Sequence, residues 1–306
     1  MINNKNGSRM SENHENPIVK KYSQPQEIRA FTEYSKIGLE AYEKNAFSFL
    51  IKKNDVVLDL GCGAGREAKP VASMCSRVYA VDLVKGMLRT AKSIVNVNNV
   101  YFICADAMYL PVRSNTVDVV IMTKQFLNHI TILERRRITM KEVYRVLKPG
   151  GRVFLTIHNN LFNIGIMHIL NGVYKLFYSK GSTSNINANI QERKGNQTSL
   201  SSMFIGFFLL KFRSIFVNVY RRIASKIVKG YNGKEVGDWE ISQVSNALSP
   251  YTSPYHNFTL KEITSLVLSS GFRIDDVKDT WELSHNRTLP GFLRKGAYTI
   301  AMFISK

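Results

Sequence analysis

The sequence predicts an α/β protein whose doubly wound, mostly parallel sheet has seven strands. Three observations carry this prediction. Short apolar runs alternate along the chain with amphipathic segments of helical period, and a glycine-rich turn directly follows the first apolar run. The 306 residues are 44% hydrophobic, which is enough to build a large core. Strands and helices that alternate in this way pair in parallel through right-handed crossovers.

The predicted elements follow one another in a regular order. The first strand is DVVLDL (55–60), a buried run that glycines end. The other strands are predicted at 77–81, 100–103, 116–122, 152–157, 272–280 and 297–305. Helices are predicted over 26–52, 66–75, 84–95, 131–147 and 259–270. The Leu-Lys-Pro-Gly-Gly segment 147–151 is expected to close the helix before it, because proline cannot continue a helix and glycines permit the turn.

Composition divides the chain into four segments. A polar, disordered tail is predicted for 1–24, and N-terminal helices with the first part of the α/β core for 25–160. Residues 161–237 form a predicted helical lid inserted after strand five, and 238–306 complete the core. The inserted region is strongly basic, with eleven Lys or Arg residues against one acid over 160–234. An apolar stripe at helical spacing runs through 212–228, so this region contains a basic amphipathic helix.

Charge and cysteine content limit the possible partners and the compartment. A formal net charge of +19 indicates an anionic partner, either nucleic acid or a membrane surface. The three cysteines show no Cys-x-x-Cys spacing, which argues against a disulfide scaffold and a zinc knuckle. No signal-peptide pattern and no run of eighteen apolar residues occurs. A cytoplasmic protein is therefore expected, with peripheral membrane contact as an alternative.

A glycine-rich turn is the most informative feature. Gly61, Gly63 and Gly65 lie immediately after the first strand and before a helix. Such a turn lets the backbone approach a ligand closely and presents unpaired helix amides. The alternative is a tight turn with no ligand. Arg66 stands where a dinucleotide fingerprint has its third glycine, and the Gly-Lys-Ser/Thr of a phosphate loop is absent.

Two acidic residues follow the turn at informative positions. Asp82 ends the second strand, 21 residues after Gly61, where a carboxylate can accept hydrogen bonds from both hydroxyls of a ribose. Asp106 follows the third strand, where it can meet the amino group of an adenine. Each has a structural alternative, because Asp82 can cap the next helix and Asp106 can cap a turn.

Five motifs occur in a characteristic order: VLDLGCGAGRE (57–67), YAVD (79–82), ADAMYLP (105–111), VDVVIM (117–122) and LKPGGRVFLTIHN (147–159). Together they resemble the class I S-adenosylmethionine-dependent methyltransferases, and YHNFTLKEITSLVLSSGFRIDDV (255–277) resembles the C-terminal helix and strand of that family. The resemblance covers about 25–160 and 238–306. It implies S-adenosyl-L-methionine as the cofactor. The cofactor-binding residues that it implies are Asp59, Gly61, Gly63, Asp82, Leu83, Asp106, Ala107, Thr123 and Tyr34.

Methyl transfer from such a cofactor requires little of the protein. The acceptor has to be aligned in a dry cavity, and an acceptor that carries a proton needs a base nearby. His129 is the candidate base, within TKQFLNHI (123–130) after strand four; the alternative is a histidine packed at a helix start. Secondary candidates are Lys124, Asn128, Tyr255 and His256. The favoured interpretation of His256 is a position in the turn before the helix that Thr259 caps.

The acceptor is predicted from what the sequence lacks as well as from what it contains. The sequence has no Asn- or Asp-Pro-Pro-aromatic motif after strand four, a motif that resembles the one in amino-group DNA methyltransferases. It also has no cluster of acidic residues that would predict a metal site. Cys62 and Cys104 are expected in the core. A small-molecule or lipid-like acceptor is favoured, with an anionic membrane surface as a possible second partner. The alternatives are a methyltransferase that modifies RNA such as tRNA, and a non-catalytic cofactor-binding protein.

Overall fold

The computed structural model describes residues 16–159, 238–244, 247–288 and 299–306. The chain divides into two compact units, of which the first comprises Met1–Asn160 and Gly237–Lys306. The second unit, Leu161–Val236, lies outside the described residues. The predicted lid and its basic helix therefore also lie outside them.

Seven of the described strands form one sheet: β1 Val56–Leu60, β2 Arg77–Asp82, β3 Val100–Cys104, β4 Val117–Met122, β5 Leu147–His158, β8 Arg273–Asp279 and β9 Thr299–Ser305. Their order is β3-β2-β1-β4-β5-β9-β8. The first five strands pair in parallel, and β9 is antiparallel to both of its neighbours. The predicted fold class, a doubly wound and mostly parallel sheet of seven strands, is confirmed.

The described helices pack on both faces of this sheet or lie at its edge: α1 Pro17–Tyr22, α2 Pro25–Ser35, α3 Ala41–Leu50, α4 Ala68–Ala72, α5 Lys85–Ile94, α6 Leu133–Val146, α7 Leu260–Ser269 and α8 Thr280–His285. A short 3₁₀ helix covers Phe126–His129. Successive strand residues point to opposite faces, so Leu58 packs with Met140 of α6 while Val57 packs with Phe47 of α3. Burial on both faces explains why β1 reads as a continuous apolar run.

Two local predictions are wrong. Helix α1 lies inside the segment 1–24 that was predicted to be disordered. Pro17 occupies its first turn, and the Asn16 side chain accepts a hydrogen bond of 3.0 Å from the amide of Ile18. Strand β5 begins at Leu147 and not at residue 152, whereas the predicted end of the preceding helix at this segment is confirmed, because α6 ends at Val146. A register shift between Val117 and Val119 in the pairing with β4 accommodates the turn-forming residues within the strand.

Three elements were not predicted. Strands β6 Asp238–Val244 and β7 Ala247–His256 form a separate antiparallel hairpin. Helix α8 follows β8 directly, and its start carries a capping box between Asp279 and Glu282. Cys104 was expected in the core but is exposed, because β3 is the edge strand of the sheet. Within the ranges that the structure describes, no helix has the length and apolar character needed to cross a membrane.

Candidate active site

The glycine turn follows β1 directly. Gly61 and Gly63 have φ angles of 82° and 52°, which lie in the left-handed region that side chains disfavour. A Cβ on Gly61 would collide with the ring of Phe126, which lies against the turn. The amide of Gly63 donates a hydrogen bond of 2.8 Å to Oδ2 of Asp82. The turn is therefore fastened to the end of β2.

Asp82 lies where β2 ends, as predicted. Besides the bond from Gly63, its Oδ1 accepts a hydrogen bond of 2.8 Å from the amide of Val84. Burial raises the pKa of Asp82, and the hydrogen bonds from Val84 and Gly63 oppose that rise. An ionised carboxylate has about four acceptor positions. The two backbone bonds fix its orientation and leave capacity for hydroxyl donors of a ligand.

The other residues implied for the adenosyl group lie at the same edge. The amide of Ala105 donates to the carbonyl oxygen of Asp82 at 3.1 Å, which joins the ends of β3 and β2. Oδ1 of Asp106 accepts a hydrogen bond of 2.9 Å from the amide of Met108. The predicted turn-capping alternative for Asp106 is thus present. Ala107 is buried in this turn, and Leu83 is half-buried beside Asp82.

A buried ionic network lies beside the glycine turn. Arg66 pairs with Glu43 of α3 and with Glu67, and its Nη1 donates to the carbonyl oxygen of Gly38 at 2.7 Å. Oε1 of Glu67 accepts a hydrogen bond of 2.5 Å from the hydroxyl of Thr123 at the end of β4. Burial raises the pKa of Glu67, which Arg66 opposes. Sequence reasoning missed this network, because it noted Arg66 only as a departure from a fingerprint.

Asp59 lies at the centre of the sheet below the turn. Its side chain is 1% exposed, and Oδ2 is buried without a hydrogen-bond partner. Burial raises the pKa of Asp59 well above its usual value, and the charge of Glu67 adds to the rise. A buried, unsatisfied oxygen is uncommon in proteins and is expected where a ligand supplies the partner.

The segment after β4 is held in a strained conformation. Lys124 and Gln125 have φ angles of 49° and 60°, which non-glycine residues rarely adopt in succession. Lys124 pairs with Glu40, and its Nζ lies 5.3 Å from the ring centre of Tyr34. The Tyr34 hydroxyl donates a hydrogen bond of 2.8 Å to Glu40. Tyr34, which was predicted to close the pocket, therefore ties the α2–α3 connection to this segment.

A cavity of about 360 Å³ opens at the carboxyl ends of β4 and β5. Its lining is mostly polar, and among its residues are Glu40, Tyr42, Lys124, Gln125, His158 and Trp281. Burial raises the pKa of Glu40, but the hydrogen bonds and charge of Lys124 and Tyr34 outweigh burial, so that the pKa lies below its usual value. None of the glycines of the turn lines this cavity.

Two histidines lie along this edge. Burial lowers the pKa of His129 to about 3, with further contributions from Lys21 and His158. Its Nδ1 is buried without a hydrogen-bond partner, and its ring packs edge-on against Tyr255 with ring centres 5.0 Å apart. His129 is therefore neutral and weakly basic at pH 7. Its role as the catalytic base stays a prediction.

His158 was not among the predicted site residues. It ends β5 and lines the cavity, and its Nδ1 lies 2.7 Å from the hydroxyl of Tyr255. Burial and then the charge of Lys124 lower its pKa to about 4. The only sequence signal for it was a position at the carboxyl end of a parallel strand, which is where such sheets bind ligands.

Two secondary candidates have structural roles. His256 is fully buried, with Nδ1 2.6 Å from Asp238 and Nε2 2.7 Å from Glu262. Thr259 caps α7, as the favoured interpretation expected. The side chain of Asn128 donates to the carbonyl oxygen of His256 at 2.6 Å. Both nitrogens of His256 are thus engaged by carboxylates and are unavailable to a substrate.

The N-terminal helices lie over the glycine turn. Ile28 and Phe31 of α2, together with Tyr22, pack against a small apolar cluster that contains Ala64 and Val84. The described part of the chain holds no group of three His, Cys, Asp or Glu side chains suited to a metal ion. The site thus combines an oriented carboxylate, a glycine turn and an aromatic cover.

Comparison with known proteins agrees with this arrangement. The family described as methyltransferase domain matches residues 58–155. Malonyl-(acyl-carrier protein) O-methyltransferase of Marinomonas sp. is 30% identical over 133 residues, which are 42% of this chain and 46% of that protein. Demethylmenaquinone methyltransferase of Corynebacterium urealyticum is 34% identical over 99 residues, which are 32% of this chain and 40% of that protein. The chain thus spans about half or less of the length of these curated relatives.

A solved structure extends the likeness in fold. An S-adenosylmethionine-dependent methyltransferase from Methanosarcina mazei has a TM-score of 0.52 and 18% identity, with 85% of this chain and 96% of that one covered. The fold is of the doubly wound α/β class, and the solved structure shares it. Residues 58–155 match the methyltransferase domain family, and over this segment the predicted resemblance to the class I S-adenosylmethionine-dependent methyltransferases is confirmed. The predicted cofactor of this family, S-adenosyl-L-methionine, is confirmed with it.

Proposed function

We propose that the protein is an enzyme that transfers a methyl group from S-adenosyl-L-methionine to a small-molecule acceptor. One observation carries the proposal: the Asp82 carboxylate is locked by two backbone amides beside a left-handed glycine turn. This occurs at the edge of the sheet where doubly wound folds bind nucleotides.

The residues at this edge fit the cofactor. S-adenosyl-L-methionine carries several hydrogen-bond donors and acceptors. The buried Asp59 oxygen without a partner can accept from a donor when the acid is ionised, and it can donate when the acid is protonated, the form that its raised pKa favours. In this proposal Asp82 holds the ribose hydroxyls, and Leu83, Asp106 and Ala107 contact the adenine. Gly61 and Gly63 lie under the methionyl part, with Thr123 and Tyr34 at its border. When bound, the cofactor supplies a methyl group on a positively charged sulfur.

The cavity beside Lys124 and His158 supports a polar acceptor of small size. Its volume of about 360 Å³ suits a molecule of metabolite dimensions. The two curated relatives are named for malonyl-(acyl-carrier protein) and demethylmenaquinone, which supports a small-molecule or lipid-like acceptor. The mostly polar lining favours the small-molecule alternative. The strained backbone at Lys124 and Gln125 holds this wall of the cavity in place.

The two histidines limit the nucleophile. Because burial lowers the pKa of His129 to about 3 and that of His158 to about 4, each ring is neutral at pH 7 and accepts a proton weakly. An alkoxide cannot be generated efficiently by so weak a base. We therefore expect an acceptor atom that ionises by itself or needs no base, with His129 accepting a proton only from an acidic group.

The proposal is tested in two steps. Calorimetry is first expected to show one S-adenosyl-L-methionine bound per chain; no binding would contradict the enzyme proposal. Methyl-labelled cofactor is then incubated with the protein and separate metabolite, lipid and RNA fractions. We expect label in the metabolite fraction. Label that enters RNA and is lost after RNase treatment would replace the small-molecule acceptor with RNA.

A separate experiment tests for membrane contact. In it, the protein would be sedimented with vesicles that contain anionic lipid, at low and at high salt. Binding that weakens with salt would support a peripheral membrane partner, because salt screens exposed charges. The absence of sedimentation would leave an acceptor taken from solution.

A further inference from the structure

Glu27 has no part in the site as described above, yet it lies on the helix that covers that site. It belongs to α2, whose neighbouring Ile28 packs against the glycine-turn cluster. A Cβ on Gly86, which follows the Asp82 strand, would lie 2.7 Å from Ile28. Phe31, one helical turn further on, lies 3.5 Å from the position of a Cβ on Gly63. The face of α2 next to Glu27 is therefore seated on the cofactor edge.

The carboxylate of Glu27 is buried and unsatisfied. The residue is 1% exposed, and neither of its side-chain oxygens has a hydrogen-bond partner. Buried carboxylates in proteins are paired, hydrogen-bonded or bound to a ligand, because an isolated buried charge is costly. Two unsatisfied oxygens on one side chain therefore indicate a missing donor or cation.

The side chains around the Glu27 carboxylate connect it with the end of β2 that carries Asp82. Burial raises the pKa of Tyr22 to about 12, and the charges of both Glu27 and Asp82 contribute to the rise. The ring centre of Tyr22 lies 5.6 Å from that of Phe31, the residue that lies against Gly63. Burial lowers the pKa of Lys21 and outweighs the charge of Glu27, which raises that pKa.

We infer that Glu27 is a further cofactor-binding residue, which recognises the positive charge of S-adenosyl-L-methionine; this inference rests on the proposed function. The substrate form of the cofactor carries a sulfonium, and the demethylated product S-adenosylhomocysteine has a neutral thioether in its place. A carboxylate in a site of low dielectric attracts the charged form more strongly. Glu27 thereby favours entry of the methyl donor and departure of the product.

The test compares two ligands and two variants by calorimetry. Glu27→Gln keeps the shape of the side chain and removes its charge. It is expected to weaken binding of S-adenosyl-L-methionine at least tenfold and of S-adenosylhomocysteine less than threefold. The control is Glu33→Gln on the same helix, where the side chain is 64% exposed and pairs with Lys36. The control is expected to leave both affinities unchanged.

Thermal melting of the ligand-free protein separates binding from structure. Because Glu27→Gln removes an unsatisfied buried charge, its melting temperature is expected to equal or exceed that of the wild type. Equal affinities in Glu27→Gln and the wild type would overturn the inference. An equal loss for both ligands together with a lower melting temperature would also overturn it, since that result indicates a structural role. Wild-type protein that binds neither ligand would instead contradict the proposed function itself.

Discussion

The hydroxyl of Tyr255 lies 2.7 Å from Nδ1 of His158, so the C-terminal end of strand β7 holds the imidazole that ends β5. This bond fixes which edge of the ring faces the hairpin. His158 also lines the cavity next to Lys124. The orientation of one wall of the cavity thus depends on an element that is distant in sequence.

The first prediction concerns the charge felt by His158. Lys124→Gln removes the cation that, after burial, lowers the pKa of His158. That pKa is therefore expected to rise from about 4 toward its ordinary value. The measurement is a pH titration of the histidine ring signals by NMR. Lys92→Gln, at an exposed position of α5, is the control and should leave the titration unchanged. An unshifted His158 in Lys124→Gln would refute the assigned electrostatic coupling.

The second prediction concerns Asp82. Asp82→Asn removes the charge that we propose binds the ribose hydroxyls, and it weakens the bonds from Gly63 and Val84. Hydrogen bonds to a charged group contribute ~1.5–3 kcal/mol each. With two ribose hydroxyls affected, the affinity for S-adenosyl-L-methionine should fall at least ~100-fold in calorimetry. Asp275→Asn, an exposed residue of β8, is the matched control. If Asp82→Asn keeps the wild-type affinity for S-adenosyl-L-methionine, Asp82 does not bind the ribose hydroxyls.

The third prediction concerns pH and His256. Burial opposes protonation, but Asp238 and Glu262 outweigh it and raise the pKa of His256. A histidine whose folded pKa is raised stabilises the fold fully below its unfolded value near 6.5, and that contribution is lost as the pH rises through the folded pKa. The free energy of unfolding should therefore fall as the pH rises from about 6.5 through the folded pKa of His256.

Urea unfolding at a series of pH values measures this dependence. His256→Gln should lower stability by ~1.5–3 kcal/mol near pH 6, because it removes the cation that lies between the Asp238 and Glu262 carboxylates, and should flatten this decline. His285→Gln, at an exposed position of α8, provides the comparison. A decline of the same slope in His256→Gln would assign the effect to another group.

The fourth prediction concerns the ion network of Arg66. Arg66→Met keeps much of the side-chain volume but leaves Glu43 and Glu67 buried without their cation. Removal of one member of a buried ionic pair costs ~3–5 kcal/mol. Urea unfolding should detect this loss, while Arg89→Met, at an exposed position of α5, should change stability by less than ~0.5 kcal/mol. Similar stability of the two variants would show that the network contributes little.

The sheet and the cofactor edge were predictable because their signals are local. β1 is buried on both faces, and its sequence is therefore one apolar run. The turn after it has positive φ angles, which favour glycine at these positions. Asp82 was found from its spacing, because the ends of adjacent parallel strands meet at one edge. The hairpin β6–β7 was missed because it depends on pairing rather than on any strong alternation in the sequence.

The side-chain partners of Arg66 and of His158 were not predictable, because they are distant in the sequence. Glu43 and Arg66 lie 23 positions apart, and Tyr255 and His158 lie 97 apart. No local pattern marks either pair. Glu27 was equally hidden, since an acid in the first turn of a helix is ordinary in sequence. Only the burial of both oxygens distinguishes it from a solvated acid.

The side-chain amide of Asn128 joins two segments that are far apart in the sequence. Its nitrogen donates to the carbonyl oxygen of His256, and its oxygen accepts from the backbone of His158 at 3.3 Å. The ends of β5 and β7 are thus both hydrogen-bonded to one side chain. Because one amide serves both segments, Asn128→Ala is expected to loosen the two together, although they are far apart in the sequence.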